Sequence, residues 1–489
     1  MVFEQDSLPI TAENQFFLPI RDFCQRRVVI CSPDDSLVDV VSIMREKNIS
    51  SVVVVQDGQP CGVVTDRDLR NKVIAQARQP KSLPVREIMS TPVATIPETS
   101  QLYDALYQMS RRGIHRLVVV DVQSQLSGII TDSDILRLQS HTPHQLILDI
   151  EQAENISDLR RMHTRIQELV ARLHGTGTPI RDIVRLIAHL NDQVVIRLIR
   201  LLRIERYPDL TNDFAFIVMG SEGRGEQTLS TDQDNGIIYA DHLDAEALQQ
   251  LQAFAEDLIG SLISIGVPEC LGGIMASNSA WRRSVRQWKT ELERWISTPS
   301  PENILKASMF FDVRTLYGDA RLETAVRSHI YSCIEHNRLF LTRMAQNMLN
   351  FTPPLGWFGR IHTERSGAHK GQLNIKKAGI FAITDGVKSL ALEAQALSGS
   401  THERLEHLAN AGVLPSTDAA DLAAALDLLV RMRLRSQITA LHAGHPPDNY
   451  LALEQLNRME QGELRLALEN VVRFQSFVRH HFKLHLVRE

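Results

Sequence analysis

The strongest constraint on this chain is an internal repeat. Val28–Val73 contains VVICSPDDSLVDVVSIMREKNISSVVVVQDGQPCGVVTDRDL, and Val93–Leu138 contains a second copy ending GIITDSDIL. Gly62, Thr65, Asp66 and Asp68 align with Gly128, Thr131, Asp132 and Asp134 at a constant offset of 66. Each copy reads as a strand, a proline-containing turn, an amphipathic helix, two β-branched strands and a second helix. The runs Val52–Val55 and Leu117–Val120 are continuous apolar strands of the kind buried in small α/β units. Such a pair uses only the first third of 489 residues, a length that suggests about three domains.

Composition narrows the class. Hydrophobic residues make up 43% and charged residues 23%, a globular balance. Net charge is −5, so no overall basic excess points to nucleic acid, and nucleic-acid processing is disfavoured. The five cysteines are scattered without a C-x-x-C pair, which fits a reduced chain better than a disulfide or zinc framework. Acidic opening residues are unlike a signal peptide, and no apolar run approaches the ~20 residues that span a bilayer. A cytoplasmic protein without membrane contact is expected.

The repeat resembles a tandem pair of CBS (cystathionine β-synthase) domains, through both the duplication and the closing Gly-x-x-Thr-x-x-Asp of each copy. The resemblance implies an adenine-nucleotide cleft (AMP, ADP or ATP). There Asp68 and Asp134 would bond ribose hydroxyls, and Thr65 and Thr131 the phosphate. It also implies homodimerisation through the pair. Read from the residues alone, Thr-x-x-Asp is equally a helix N-cap box.

The chemistry concentrates at residues 214–239, FAFIVMGSEGRGEQTLSTDQDNGIIY. An apolar strand, Phe214–Met219, breaks into Gly220-Ser221-Glu222-Gly223-Arg224-Gly225. A second strand is expected to carry Asp232 and Asp234, whose spacing of two puts both carboxylates on one face. Paired acids repel unless a cation lies between them, and oxygen ligands favour Mg²⁺ or Mn²⁺. The Gly-Ser turn offers backbone N–H groups without a Cβ in the way, as phosphate binding requires. Neither a P-loop nor a G-x-G-x-x-G fingerprint is present.

Strand, Gly-Ser and Asp-x-Asp together resemble the nucleotidyltransferase superfamily typified by DNA polymerase β, and the PII-protein uridylyltransferase branch within it. The whole chain is similar to bacterial nucleotidyltransferases that follow a CBS pair and end in a dedicated helical domain. The resemblance implies transfer of a nucleoside monophosphate from a nucleoside triphosphate to an acceptor, by analogy a regulatory protein. It implies a third carboxylate, for which Asp312 in Phe311-Asp-Val-Arg314 is preferred to Asp319; a local Asp312–Arg314 ion pair is the alternative. Asp232, Asp234 and Asp312 would then be the catalytic metal ligands. Gly220 and Ser221 would hold phosphates with Arg224 as an extra cation, unless Arg224 and Glu226 pair with each other. Asn278, Arg282 or Arg283 would touch the base or phosphates.

The expected organisation is an arm at 1–23, the CBS pair at 24–140 and a linker helix at 141–165. A nucleotidyltransferase α/β domain at 166–340 and a helical bundle at 341–489 complete it. Trp288 and Trp295, seven apart, read as helix core. In the last segment Lys376 and Lys377 are phosphate candidates, Asn374 stands where the family has an aspartate, and Gln437 matches a family position. A non-catalytic nucleotide-sensing protein is the alternative to an enzyme.

Overall fold

The computed structural model describes residues 19–22, 24, 28–132, 134, 143–175, 177–230, 233–356 and 359–486. The chain divides into two compact units, residues 1–142 and 143–489.

The first unit holds two three-stranded sheets of the same design. In one, β1 (Ile30–Cys31) runs parallel to β2 (Ser51–Gln56), which pairs antiparallel with β3 (Gln59–Thr65). In the other, β4 (Thr95–Pro97), β5 (Arg116–Val120) and β6 (Leu126–Thr131) repeat that order. The duplication extends to an irregularity: Val54 faces Gly62 and Val119 faces Gly128, and the register shifts immediately after each valine. Val52, Val53 and Val54 are buried, as are Leu117, Val118 and Val119, because β-branched and leucine side chains suit a covered, pleated surface. The helices Leu37–Glu46 and Leu102–Arg112 bury Leu37, Val40 and Met44, and Leu102, Ala105 and Met109. The i, i+3, i+7 spacing puts each trio on one stripe.

The second unit is built on a four-stranded mixed sheet. Its order is β10 (Arg314–Gly318), β7 (Phe214–Val218), β8 (Asn235–Tyr239), β9 (Arg282–Ser284). Central β7 is buried throughout, and alternation divides it between two cores. Phe214, Phe216 and Val218 join the helices Ile180–Glu205 and Ala245–Ile265 on one face. Ala215, Ile217 and Met219 join Trp281, Trp288, Trp295 and Phe310 on the other. Trp288 is fully buried with its ring 4.5 Å from Phe310, so the tryptophan pair is core.

Residues expected to form a linker are part of this unit. The helices Pro143–Glu151 and Ile156–Gly175 contribute Leu146, Ile150, Leu159 and Met162 to the core under β7. Two arginines of Ile180–Glu205 brace neighbouring backbone: Arg197 donates to the Ala153 carbonyl and Arg203 to that of Leu210.

The last third packs the helices Phe381–Glu393, Thr401–Asn410, Ser416–His442 and Arg458–His481 around a second large core. A short ribbon, β11 (Gln372–Asn374) against β12 (Tyr450–Ala452), joins them. The fold is thus α/β followed by all-α. Among the described residues no helix is long and apolar enough to cross a membrane.

Candidate active site

The glycine-rich segment leaves β7 as a single helical turn, Gly220–Gly223. Two glycines make that turn sterically feasible. Gly220 has φ +56°, and a Cβ there would lie 3.0 Å from Asp234 Oδ2. At Gly223 a Cβ would fall 1.6 Å from the Asp312 carbonyl oxygen, an overlap that no side chain tolerates. The turn is therefore wedged between Asp234 on one side and the Asp312 backbone on the other.

Asp234 lies one residue before β8 rather than within a strand, and its carbonyl accepts from the Met219 N–H at 2.8 Å, extending the ladder. Asp232 lies outside the described residues. Glu222 is close to Asp234, whose backbone N–H bonds the Glu222 carboxyl, and Gln227 donates to that carboxyl at 2.5 Å. Burial, then the charges of Asp234 and Asp192, push the Glu222 carboxyl well above the ordinary glutamate value. Asp192 is held by a bidentate pair with Arg314, both contacts 3.0 Å. The Cys270 thiol also hydrogen-bonds Asp234, and burial raises it. Asp234 and Glu222 thus make an acid-rich corner, and oxygen donors of that kind suit a hard divalent cation. Glu222 was visible in the sequence within Gly-Ser-Glu-Gly, but nothing there distinguished it from turn filler.

Asp312, expected as the third metal carboxylate, has different surroundings. It sits in the turn before β10, with no side-chain exposure, between three cations. Arg224 Nη1 is 2.6 Å from Oδ2, Lys388 Nζ is 2.8 Å from Oδ2, and Arg404 Nη1 is 2.6 Å from Oδ1. Burial alone would raise its pKa, but Lys388, Arg224 and Arg404 outweigh it and hold the carboxyl well below the usual range. Both oxygens are fully engaged, so Asp312 is an ion-pair hub. The local Asp312–Arg314 pair is not formed, since Arg314 turns to Asp192. Asp319 caps the helix Ala320–Glu335 and pairs with Arg321.

Arg224 also pairs with Glu226, at 2.7 Å, the alternative left open by the sequence. Glu226 in turn accepts from the Thr401 N–H at 2.5 Å, which sets its charge at the N-terminus of Thr401–Asn410. Asn278 acts as a loop brace: it accepts from Ala280 N–H and donates to the Gly273 carbonyl at 2.9 Å. Arg282 and Arg283 likewise donate to carbonyls of Ala276 and Ala280.

Two depressions flank the turn. A cleft beside Ser221 and Arg224 is also lined by Arg181, Arg185, Lys376 and Arg433, with Glu226 and Asp427 the acids among its lining. It joins the α/β domain to the helical domain, and Lys376 is the residue of the later segment that reaches it. Arg433 donates to the Ser230 carbonyl at 2.9 Å, tying a bundle helix to the loop that leads to Asp234. Asn374 caps Lys377 N–H, and Gln437 is buried on the Asp448 carbonyl. On the other side, a cavity of about 270 Å³ is bordered by Glu222, Gln227, Gln233 and Asn235.

In the first unit, a hollow of about 760 Å³ takes Thr65, Asp68, Lys72 and Ser90 from one side and His115 and Arg116 from the other copy. Asp68 accepts from Thr65 N–H and Oγ1, from Ser90 Oγ at 2.8 Å, and pairs with Lys72 at 2.8 Å. Burial opposes ionisation, and the bonds from Lys72, Thr65 and Ser90 lower its pKa nonetheless. Thr131 and Asp134 form the same capping box, with Oγ1 to Oδ2 2.7 Å, but lie outside the lining of the hollow. Both Thr-x-x-Asp motifs therefore make the same capping bonds, and the first borders that hollow.

Family models match the chain in three stretches. These are the CBS domain at residues 20–75 and 85–141, "Putative nucleotidyltransferase DUF294" at 164–302, and "Putative nucleotidyltransferase substrate binding domain" at 338–482. An uncharacterised protein of Methanopyrus kandleri is 37% identical over 123 residues, 25% of this chain and 63% of that one. The chain thus spans less than two thirds of that relative. The CBS domain-containing protein YhcV of Bacillus subtilis is 33% identical over 116 residues, 24% of this chain and 81% of YhcV. Among solved structures, an uncharacterised conserved protein of Pyrococcus horikoshii has 25% identity and a TM-score of 0.24, covering 25% of this chain and 93% of that one. The CBS pair of protein MJ0100, in complex with 5-methylthioadenosine and S-adenosyl-L-methionine, has 26% identity and a TM-score of 0.23, covering 25% and 96%. The chain thus belongs to the CBS-domain-containing proteins, with a DUF294 domain and its substrate binding domain following the CBS pair in order.

Proposed function

We propose that the second unit transfers a nucleoside monophosphate from a nucleoside triphosphate to an acceptor, with Mg²⁺ or Mn²⁺ at Asp234 and Asp232. The observation that carries this reading is the acid-rich corner at Gly220, where the charges of Asp234 and Asp192 raise the Glu222 carboxyl beside the glycine turn. A divalent cation bound there would lower the pKa of the attacking hydroxyl and neutralise the pyrophosphate leaving group. The chain's own residues do the rest. The Gly220–Ser221 backbone meets phosphate oxygens without a Cβ in the way, and Arg181, Arg185, Arg224 and Lys376 neutralise the triphosphate along the cleft. Arg224 keeps its position because Asp312 and Glu226 hold it from behind.

The acceptor, by kinship with the uridylyltransferases, is a protein. The hollow of the first unit takes AMP, ADP or ATP, with Asp68 on the ribose, and sets the rate through a homodimeric CBS pair. That regulation requires the nucleotide to bind two states of the protein unequally.

The test is transfer from ATP, UTP, GTP or CTP labelled at the α-phosphate, with Mg²⁺ and a lysate fraction as acceptor source. Label passing to a product with the wild type and not with Asp234→Asn supports the reading. Nucleotide binding with no transfer from any of the four, under every adenine effector, transfers the weight to a non-catalytic sensor. Calorimetry of the whole protein with AMP, ADP and ATP tests the hollow separately, since Asp68→Asn should weaken that binding alone.

A further inference from the structure

A second cluster of ligating side chains lies away from both depressions. His329 and Cys333 stand one turn apart on the helix Ala320–Glu335, and Glu293 reaches them from the helix Val285–Ser297. The three donor atoms lie within 4.8 Å of one another. His329 Nε2 is 3.0 Å from Glu293 Oε1 and 3.4 Å from Cys333 Sγ. None of the three lines either depression beside the glycine turn.

Hydrogen bonding through Nε2 serves Glu293 or the thiol hydrogen, one at a time. One imidazole nitrogen faces two groups at once. If Nε2 carries a proton, it donates to Glu293 and leaves the thiol hydrogen without that acceptor. If it carries a lone pair, it accepts from the thiol and confronts a carboxylate oxygen. A metal would serve all three groups at once, because each then directs a lone pair to one point. Tetrahedral ligation with ordinary zinc bond lengths separates N and O by about 3.3 Å and N and S by about 3.6 Å, close to the distances seen. Thiolate, carboxylate and neutral imidazole together carry a charge of −2, matching a divalent ion. Sulfur and imidazole favour Zn²⁺ over the Mg²⁺ that suits the acid-rich corner.

We propose that Glu293, His329 and Cys333 bind a zinc-class divalent ion, with water as the fourth ligand, clamping two helices of the α/β domain together. Binding replaces the thiol proton, which passes to solvent, and no electron is transferred. Glu293 is largely exposed, so the ion enters directly from solvent. This site is independent of nucleotidyl transfer and stands even if that reading fails.

The test is titration of the metal-free full-length protein with Co²⁺, followed by displacement with Zn²⁺. A thiolate-to-cobalt absorption band should appear with one equivalent and vanish on adding Zn²⁺. Cys270, on Asp234, is a second thiol near acids, so the variants separate the sites. The band should persist in Cys270→Ser and disappear in Cys333→Ser, while Glu293→Gln and His329→Gln should weaken uptake more than about 10-fold. Glu293→Gln alters an exposed side chain and keeps the test valid if the others misfold. Absence of the band in the wild type, or a band that survives Cys333→Ser, overturns the proposal.

Discussion

Two aspartates stand on either side of one glycine turn under opposite electrostatic conditions. Asp312 is enclosed by Arg224, Lys388 and Arg404, three cations around one acid. Glu222, beside Asp234, has Asp234 and Asp192 as neighbouring acids, and Arg314, which pairs with Asp192, offsets them only in part. The first surrounds one acid with cations and holds the fold; the second gathers acids and raises a carboxyl. A residue type in the right sequence pattern therefore does not settle its role, because the role follows from how its charge is met.

The comparison breaks first, and hardest, at Asp312. Asp312→Ala leaves three buried or nearly buried cations facing each other and should cost about 3–5 kcal/mol, read as a lowered denaturation midpoint. Were Asp312 instead a metal ligand, the midpoint would hardly move and the Mg²⁺ requirement would change. Asp234→Asn should do the reverse. Transfer should fall by about 10³-fold or more, while the metal-free midpoint stays level or rises, because a repulsion has been removed.

The contrast extends to pH. Asp312 has a depressed folded-state pKa, so its stabilisation is complete above the ordinary aspartate value of about 3.9 and is lost as pH falls through the folded value. Glu222 has a raised one. The unfolded chain releases that proton above about pH 4.3, while the folded chain still holds it, so stability declines as pH rises until the folded value is passed. Urea midpoints of the metal-free protein should therefore drop from mildly acidic to neutral pH. Glu222→Gln should flatten that slope, as should saturating Mg²⁺; a slope unchanged by both would remove Glu222 from the corner. Least of all, Asn278→Ala should cost about 1 kcal/mol as a lost cap and brace. Its KM for nucleotide should not move, whereas a direct substrate contact would raise it.

Much of the fold was legible because its signals are local. The duplicated Gly-x-x-Thr-x-x-Asp fixed two matching sheets, and the apolar run Phe214–Met219 broke at Gly220 as its glycines require. The site was legible only in part. Gly220, Ser221 and Asp234 come together because they lie within one strand-turn-strand hairpin. The ion pairs of Asp312 were not legible because Arg404 lies 92 residues away, and no local pattern announces such a partner. Residues 143–165 looked like a linker because their helices bury apolar residues against strands that come much later in the chain.

The bonds from Arg404 to Asp312, from Thr401 to Glu226 and from Arg433 to the Ser230 carbonyl all cross from the last third of the chain into the transferase domain. The two family models that meet between residues 302 and 338 thus describe a seam in sequence that is not a seam in charge. A transferase domain expressed without its helical partner would carry Asp312 stripped of two of its three counter-ions. The α/β domain and its helical neighbour are matched charge for charge, and recombination between homologues at that seam should yield chimaeras that fail unless both sides of each bond travel together.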